Sequence, residues 1–476
     1  MLFNSIEFAI FLPIVFAIYW SIGSRHVRRQ NLALLIASYF FYGWWDWRFL
    51  GLIAFSTIVD FLVGKKLEQT TGQKKRKTLL YISLASNLGL LLFFKYYNFF
   101  IDSFVDAFTF FGINFSPSHL HIVLPVGISF YTFQTLSYTI DVYQKKIKPT
   151  TDWIAFSAFV SFFPQLVAGP IERAANLLPQ FQKNRKFDTE KAKDGLRQIL
   201  WGLFKKIVIA DTCAIYANDI FSNPDSYSTP ALWLGAIYFA FQIYGDFSGY
   251  SDIALGLARL FGFELMKNFN LPYFSRDIAE FWRRWHISLS SWFKDYLYIP
   301  LGGSRGGLKK TLRNVLIIFL ISGLWHGANW TFVAWGGVHA LFFIPLLVLK
   351  RNRKHLGKIA EDSLLPSLSE AYQISLTFLQ VLIAWVFFRA ANIKEAIHYI
   401  SGMFDMANMG TIESYKAKYL ILILFLLAWE WNFRDKEHGL HIPKWPTHWR
   451  WLTYSFFIWL ILYFVGEEQE FIYFQF

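Results

Sequence analysis

One histidine stands in a segment where an imidazole invites a chemical reading: His326, in Gly323-Leu-Trp-His-Gly-Ala-Asn329. Near neutral pH an imidazole serves as base, acid or ligand. A metal centre is not expected: His326 and His339 are thirteen residues apart, HExxH is absent, and Cys213 is the single cysteine. Cys213 reads as a small buried apolar residue. A serine hydrolase is also disfavoured, because no GxSxG elbow is present. Ser322, four residues before His326, shares its helix face, either as a nucleophile or as a small residue at a helix contact. The turn Gly302-Gly-Ser-Arg305-Gly-Gly307 lacks the GK[ST] of a phosphate loop and reads as a flexible turn. Residues 242–256 set Asp246, Ser248, Tyr250, Ser251 and Asp252 in an apolar stretch, where carboxylates must be paired, hydrated or neutral. They either line a polar cavity or lock helices together.

The elements that position these groups follow from composition. Of 476 residues, 55% are hydrophobic and 20% aromatic, with 20 Trp and 53 Phe. A water-soluble domain cannot hide that much apolar surface, and a bilayer removes the difficulty. The net charge of +13 is spread in short Lys/Arg clusters between apolar runs, such as Arg25–Arg29, Lys74–Lys77, Lys145–Lys148, Lys309–Arg313 and Lys350–Lys354. That is the positive-inside pattern of cytoplasmic loops and not a nucleic-acid surface. Apolar runs lie near residues 5–22, 31–45, 49–64, 78–100, 121–143, 153–170, 196–218, 230–262, 314–325, 329–349, 370–388, 416–431 and 450–466. A core of about 30 Å needs roughly 20 helical residues, so some are full spans and others are short. Pairs of runs separate successive basic clusters, which puts the N-terminus outside. The first run lacks a basic flank and a cleavage site, and reads as a retained span. The expectation is an all-α polytopic membrane protein forming one domain over residues 1–476.

Two regions break the spanning pattern. Residues 276–298 are aromatic and charged together, and predict one amphipathic helix, either in the interface or packed in a polar cavity. In it Glu280 pairs with Arg283 and Arg284 at the surface, and Ile278, Phe281, Trp282, Trp285 and Leu289 form the apolar side. The runs 314–325 and 329–349 have basic flanks at both ends, and the first offers only twelve apolar residues, about 18 Å of helix. That spacing places the turn at His326 part-way into the membrane, where an ionisable group is a functional candidate.

The segments LPVGISFYTFQTLSYTIDVY (124–143), FFPQLVAGPIER (162–173), YGDFSGYSDIALG (244–256), FWRRWHISLSSWFKDYLYIPLGG (281–303) and GLWHGANWTFVAWGGVH (323–339) resemble the membrane-bound O-acyltransferase (MBOAT) superfamily. Within it the likeness is to the bacterial alginate O-acetyltransferase subunit I type. The resemblance implies a ring of about 11–13 spanning or partly spanning helices with interfacial helices and a thinned centre. A cytoplasmic tunnel would admit an acyl donor and an outer funnel its acceptor. The family's essential histidine, preceded by Trp and followed by Gly, falls on His326, and its second polar position falls on His286.

These implications yield a mechanistic expectation. His326 acts as general base on an acceptor hydroxyl that attacks a thioester carbonyl, and His286 orients the donor or stabilises the oxyanion. Arg283, Arg284 and Arg305 hold donor phosphates or anchor the interface, while Trp285, Trp325, Asn329, Asp246 and Ser322 complete the candidate binding set. The donor expected by resemblance is acetyl-CoA, used as co-substrate with no resident cofactor or metal. The partners expected are an extracytoplasmic polysaccharide and a periplasmic acetyltransferase, at a bacterial inner membrane. Transfer of D-alanyl groups in teichoic acid modification is the near alternative. A transporter, a flippase or a scaffold for an exopolysaccharide complex is the alternative of another class.

Overall fold

The computed structural model describes residues 1–110, 119–167, 169–361, 363–466, 469, 471 and 472. Among the described residues every regular element is helical. Each of the thirteen apolar runs carries helix, which follows from a bilayer's demand that backbone groups be satisfied within the segment. Val27–Gln69, Gln73–Thr109, Trp330–Val348 and Leu368–Arg389 are long and apolar enough to cross a membrane, and Ile6–Ser21, Trp153–Leu166 and Leu420–Asn432 are shorter apolar helices. The chain divides into two compact units.

The first unit comprises Met1–Leu196 and Ala254–Met266. Its helices include Ile6–Ser21, Val27–Asp46, Leu50–Gln69, Gln73–Leu91 and Ile128–Tyr143. A buried polar network ties its helices together. The fully buried Asp60 carboxylate accepts from Ser83 Oγ at 2.5 Å, Asn87 Nδ2 at 2.9 Å and Thr139 Oγ1 at 3.0 Å, joining three helices.

The second unit comprises Arg197–Ile253 and Lys267–Phe476 and contains both histidines. Two expectations change here. The segment 276–298 is not one helix but two, Ile278–Arg284 and Ile287–Phe293, followed by a π-helical turn Lys294–Tyr298. The break falls at His286, whose φ of 43° and ψ of 54° lie in the left-handed region that L-residues other than glycine seldom adopt. Its Glu280 is buried and not at a surface. It bonds Arg284 at 2.8 Å as expected, but its second partner is Arg276 at 3.0 Å in place of Arg283.

The helix leading to His326 is also longer than its apolar run, spanning Gly307–His326 and taking in Lys309, Lys310 and Arg313. Twenty residues extend about 30 Å. Length therefore does not hold His326 part-way across, and its environment is set by packing. The helix ends at Gly327, and the return helix Trp330–Val348 starts from Asn329, whose side chain accepts from Thr331 N at 3.0 Å.

These two helices meet backbone to backbone. A Cβ at Gly323 would lie 2.1 Å from Phe332 O, and one at Gly336 would lie 2.2 Å from Phe319 O. Small residues at such contacts are how helices approach closely in membranes. At Gly337, one position on, a Cβ would meet nothing nearer than Leu320 Cδ2 at 3.9 Å. Gly336→Ala is expected to destabilise the protein by about 1–3 kcal/mol through overpacking, seen as a lowered unfolding midpoint in detergent. Gly337→Ala should leave that midpoint unchanged or slightly raised.

Candidate active site

Each histidine of the site is fixed by a feature of its own segment. His326 is the last residue of its helix and is 3% exposed, carried into the packed interior by the Gly323 and Gly336 contacts. His286 is fully buried at the break between the two short helices. The two imidazole centroids are 6.2 Å apart. A hydrogen bond from a ring nitrogen reaches an oxygen about 4 Å from the ring centre. One oxygen can therefore contact both rings, which is the arrangement expected of two groups acting on one reacting centre.

Aromatic rings fill the space around them. Trp325 lies 5.9 Å from His286 and 5.0 Å from His326. Trp335 and Phe388 pack on His326 at 5.0 and 5.4 Å, and Phe247 meets His286 edge-on at 4.7 Å. Trp285, fully buried beside the break, packs on Trp385 in a tilted arrangement at 5.0 Å. The wall excludes water, which strengthens every polar interaction within it. His339, thirteen residues after His326, sits in its own cage of Trp282 and Trp335, at 4.9 and 4.8 Å.

His286 also has a polar support that the sequence did not single out. Asn268, fully buried, brings Oδ1 to 3.0 Å from His286 Nδ1 and accepts from Ser288 Oγ at 2.9 Å. Nothing in sequence spacing marks it, because it reaches the histidine across eighteen residues.

A cavity of about 260 Å³ opens beside Ser322, one turn before His326. Trp282, Val315, Phe319, Phe343 and Leu347 wall it, and Lys294, Tyr298, Ser304, Asn352 and Arg353 stand at its polar edge. Lys294 and Arg353 are exposed cations that motif reading passed over. Of the arginines expected to face a donor, Arg284 is engaged with Glu280, and Arg283 donates to the carbonyls of Asn352 and His355 at 2.9 and 2.8 Å. Arg305 is exposed on its glycine-rich turn. Asn329 Nδ2 donates to Ala391 O at 2.8 Å, tying the return turn to the following helix. Asp246 is held by Lys206 Nζ at 2.9 Å and by the Ile472 N–H at 2.7 Å. Lys205 binds Asp252 at 2.6 Å and Ser248 at 2.9 Å. The polar stretch 242–256 thus carries buried ion pairs, with Phe247 of the same helix turned to His286.

The model of the membrane-bound O-acyltransferase family matches residues 145–357, the stretch that carries both histidines. The probable alginate O-acetylase AlgI of Pseudomonas aeruginosa is 42% identical over 90% of this chain and 81% of its own length. The peptidoglycan O-acetyltransferase of Helicobacter pylori is 36% identical over 85% of this chain and 80% of its own. The teichoic acid D-alanyltransferase of Streptococcus thermophilus is 29% identical over 55% of this chain and 68% of its own.

The ion cluster that supports the His286 break is open to a direct test. Burial raises the Glu280 carboxyl, but the hydrogen bonds from Arg276 and the charges of Arg284 and Arg276 outweigh it and hold the group below the ordinary carboxylate range. A depressed carboxyl contributes stability that is present above its unfolded pKa of about 4.3 and is lost as pH falls through the native value. Glu280→Gln leaves two arginines short of a partner and is expected to cost about 3 kcal/mol at neutral pH. Unfolding midpoints of the two proteins measured across pH should converge on acidification.

Proposed function

The chain belongs to the membrane-bound O-acyltransferase family and is an O-acyltransferase. On that premise we propose that it moves an acetyl group from a cytoplasmic thioester to a hydroxyl of an extracytoplasmic polysaccharide or of a periplasmic partner that passes it on, with His326 as general base. The observation that carries this reading is the meeting of His286 and His326, both buried, at 6.2 Å.

In this mechanism His326 takes the proton of the acceptor hydroxyl as the oxygen attacks the thioester carbonyl. The tetrahedral intermediate collapses, the C–S bond breaks, and the thiolate leaves to be protonated. Positioned acid–base catalysis of this kind typically contributes about 10²–10⁴-fold. His286 orients the reacting groups or stabilises the oxyanion. Trp325 packs on both imidazoles, Trp285, next to His286 in sequence, packs on Trp385, and Ser322 lines a cavity one turn before His326.

Acetyl is favoured as the acyl group because the relatives named for O-acetyl transfer cover 85–90% of the chain, at 36% and 42% identity. The D-alanyl relative covers 55% at 29%. The names of these relatives also support a cell-wall or exopolysaccharide acceptor of the alginate or peptidoglycan kind. The donor reading rests on the cavity beside Ser322. Its walls are largely apolar, with Ser290 and Ser322 among them, so it suits the thioester arm of acetyl-CoA. Lys294 and Arg353 at its edge suit the phosphates that stay outside, with Arg305 and Arg283 nearby in sequence. The basic clusters at Lys309–Arg313 and Lys350–Lys354 support a cytoplasmic position for that edge, in an inner membrane with the N-terminus outside. A periplasmic acetyltransferase completes delivery to the polymer, and residues 1–476 act as one acyltransferase domain. No resident metal or cofactor enters the scheme.

His326→Ala should lower polymer O-acetylation in cells by at least about 10²-fold at unchanged abundance in the membrane. Unchanged acetylation would remove His326 from the chemistry and favour a transport or scaffold role. Lys294→Ala and Arg353→Ala, assayed with purified protein, should raise KM for the thioester donor by about 3–10-fold and leave kcat within about twofold, since they remove uniform binding.

A further inference from the structure

We propose that Asn268 is a positioning residue that fixes the tautomer of His286, making its Nε2 a hydrogen-bond acceptor in the reaction. The inference rests on the reading that His286 works in acyl transfer, and it chooses between the two roles left open for it.

The argument starts from a group whose role cannot vary. The Ser288 backbone N–H is a donor, and it lies 3.3 Å from Asn268 Oδ1. The amide on the other side of that side chain, Nδ2, points to Ser251 Oγ at 3.3 Å. The carboxamide is therefore oriented with its oxygen towards the His286 side. Oδ1 accepts and cannot donate, so the His286 nitrogen 3.0 Å away, Nδ1, must carry the proton. A neutral imidazole holds one N–H, and its lone pair is then on Nε2.

The clamp is built into both strands of the local backbone. Asn268 O accepts from Ile287 N at 2.9 Å, and Asn270 N donates to Arg284 O at 2.9 Å, so residues 268–270 run alongside the break that carries His286. Asn268, His286 and Ser288 are all fully buried. A φ of 43° is a strained conformation for His286, one that persists only where the surroundings over-determine it. Asn268 supplies that determination through its side chain and its carbonyl together.

The choice of a neutral carboxamide sets the chemistry. An Asp at this position would hold an imidazolium, with a donor on each nitrogen. Asn offers no such charge, and among the described residues the rings on His286 include Phe247, Phe269 and Trp325, which carry no charge, and the titratable His326. Of the charged groups on the adjoining segments, Lys267 donates to Asn270 at 3.0 Å, and Glu280 and Arg284 bond each other. His286 in its neutral form thus receives a hydrogen bond from a substrate group beside the reacting hydroxyl, while His326 takes the proton. It does not supply the donor for the oxyanion.

Three variants of the full chain, purified and assayed for acetyl transfer across pH, test this. Asn268→Leu keeps the volume and removes the acceptor, and kcat is expected to fall by about 10²-fold. Asn268→Asp keeps the tautomer but favours the imidazolium. It should retain activity at high pH and move the acidic limb of kcat up by about one unit or more. A purely structural Asn268 would not move that limb. Wild-type kcat in Asn268→Leu, or an unmoved limb in Asn268→Asp, overturns the proposal. If Asn268→Leu does not fold, the Asp variant alone decides. His286→Ala separates the two levels: full activity there removes His286 from the reaction altogether. A dead His286→Ala beside unaffected Asn268 variants removes only the clamp.

Discussion

Two helices of this chain run so close at Gly323 and Gly336 that neither position has room for a methyl group against the facing carbonyls. Close approach of this kind lets a membrane protein hold a polar group at a helix end, because the backbone there is surrounded by protein and not by lipid. His326 is such a group. Its helix ends with it, and Gly327 and Asn329 start the return. Without the contact, the imidazole would have neither its aromatic wall nor its neighbour at 6.2 Å.

The same unit has to carry several charges through an apolar interior, and it does so by pairing them. Lys205 and Lys206 take Asp252, Asp246 and Asp211 on one side, and Arg276 and Arg284 enclose Glu280 on the other. Buried pairs of this kind add little net stability, but removing one partner is costly, so they fix which helices lie side by side. Around the histidines the described residues include the uncharged rings of Phe247, Trp325, Trp335 and Phe388 and the carboxamide of Asn268. Neutral imidazoles are what base catalysis at physiological pH requires.

Much of this was legible in the residues. The apolar runs are read correctly as helical, since hydropathy reports directly on what a bilayer requires. His326 stands out as an ionisable group in the turn between two apolar runs, and His286 through the family resemblance of its segment. The misreadings have local causes. Helix Gly307–His326 continues through Lys309, Lys310 and Arg313, whose charged ends can reach the interface along flexible stems, so a count of apolar residues understates its length. The break at His286 was hidden because a left-handed residue is signalled in sequence by glycine or asparagine, and here neither is present. Asp246 reads equally well as cavity lining or helix lock, and only its distance to Lys206, forty residues earlier in the chain, shows that it is engaged in an ion pair. Asn268 carries no local signal at all, because its meaning depends on a partner eighteen residues on.

The central claim is that acyl transfer takes place between His286 and His326, reached from the cavity beside Ser322. The most direct measurement is an experimental structure of the protein bound to a donor analogue in which the thioester sulfur is replaced by methylene, so that the acyl group cannot leave. The account predicts the arm in the cavity walled by Trp282 and Phe319, the phosphates beside Lys294 and Arg353, and the carbonyl carbon within reach of an oxygen that contacts both imidazoles. A donor carbonyl bound away from the two histidines, with that cavity empty, would contradict it.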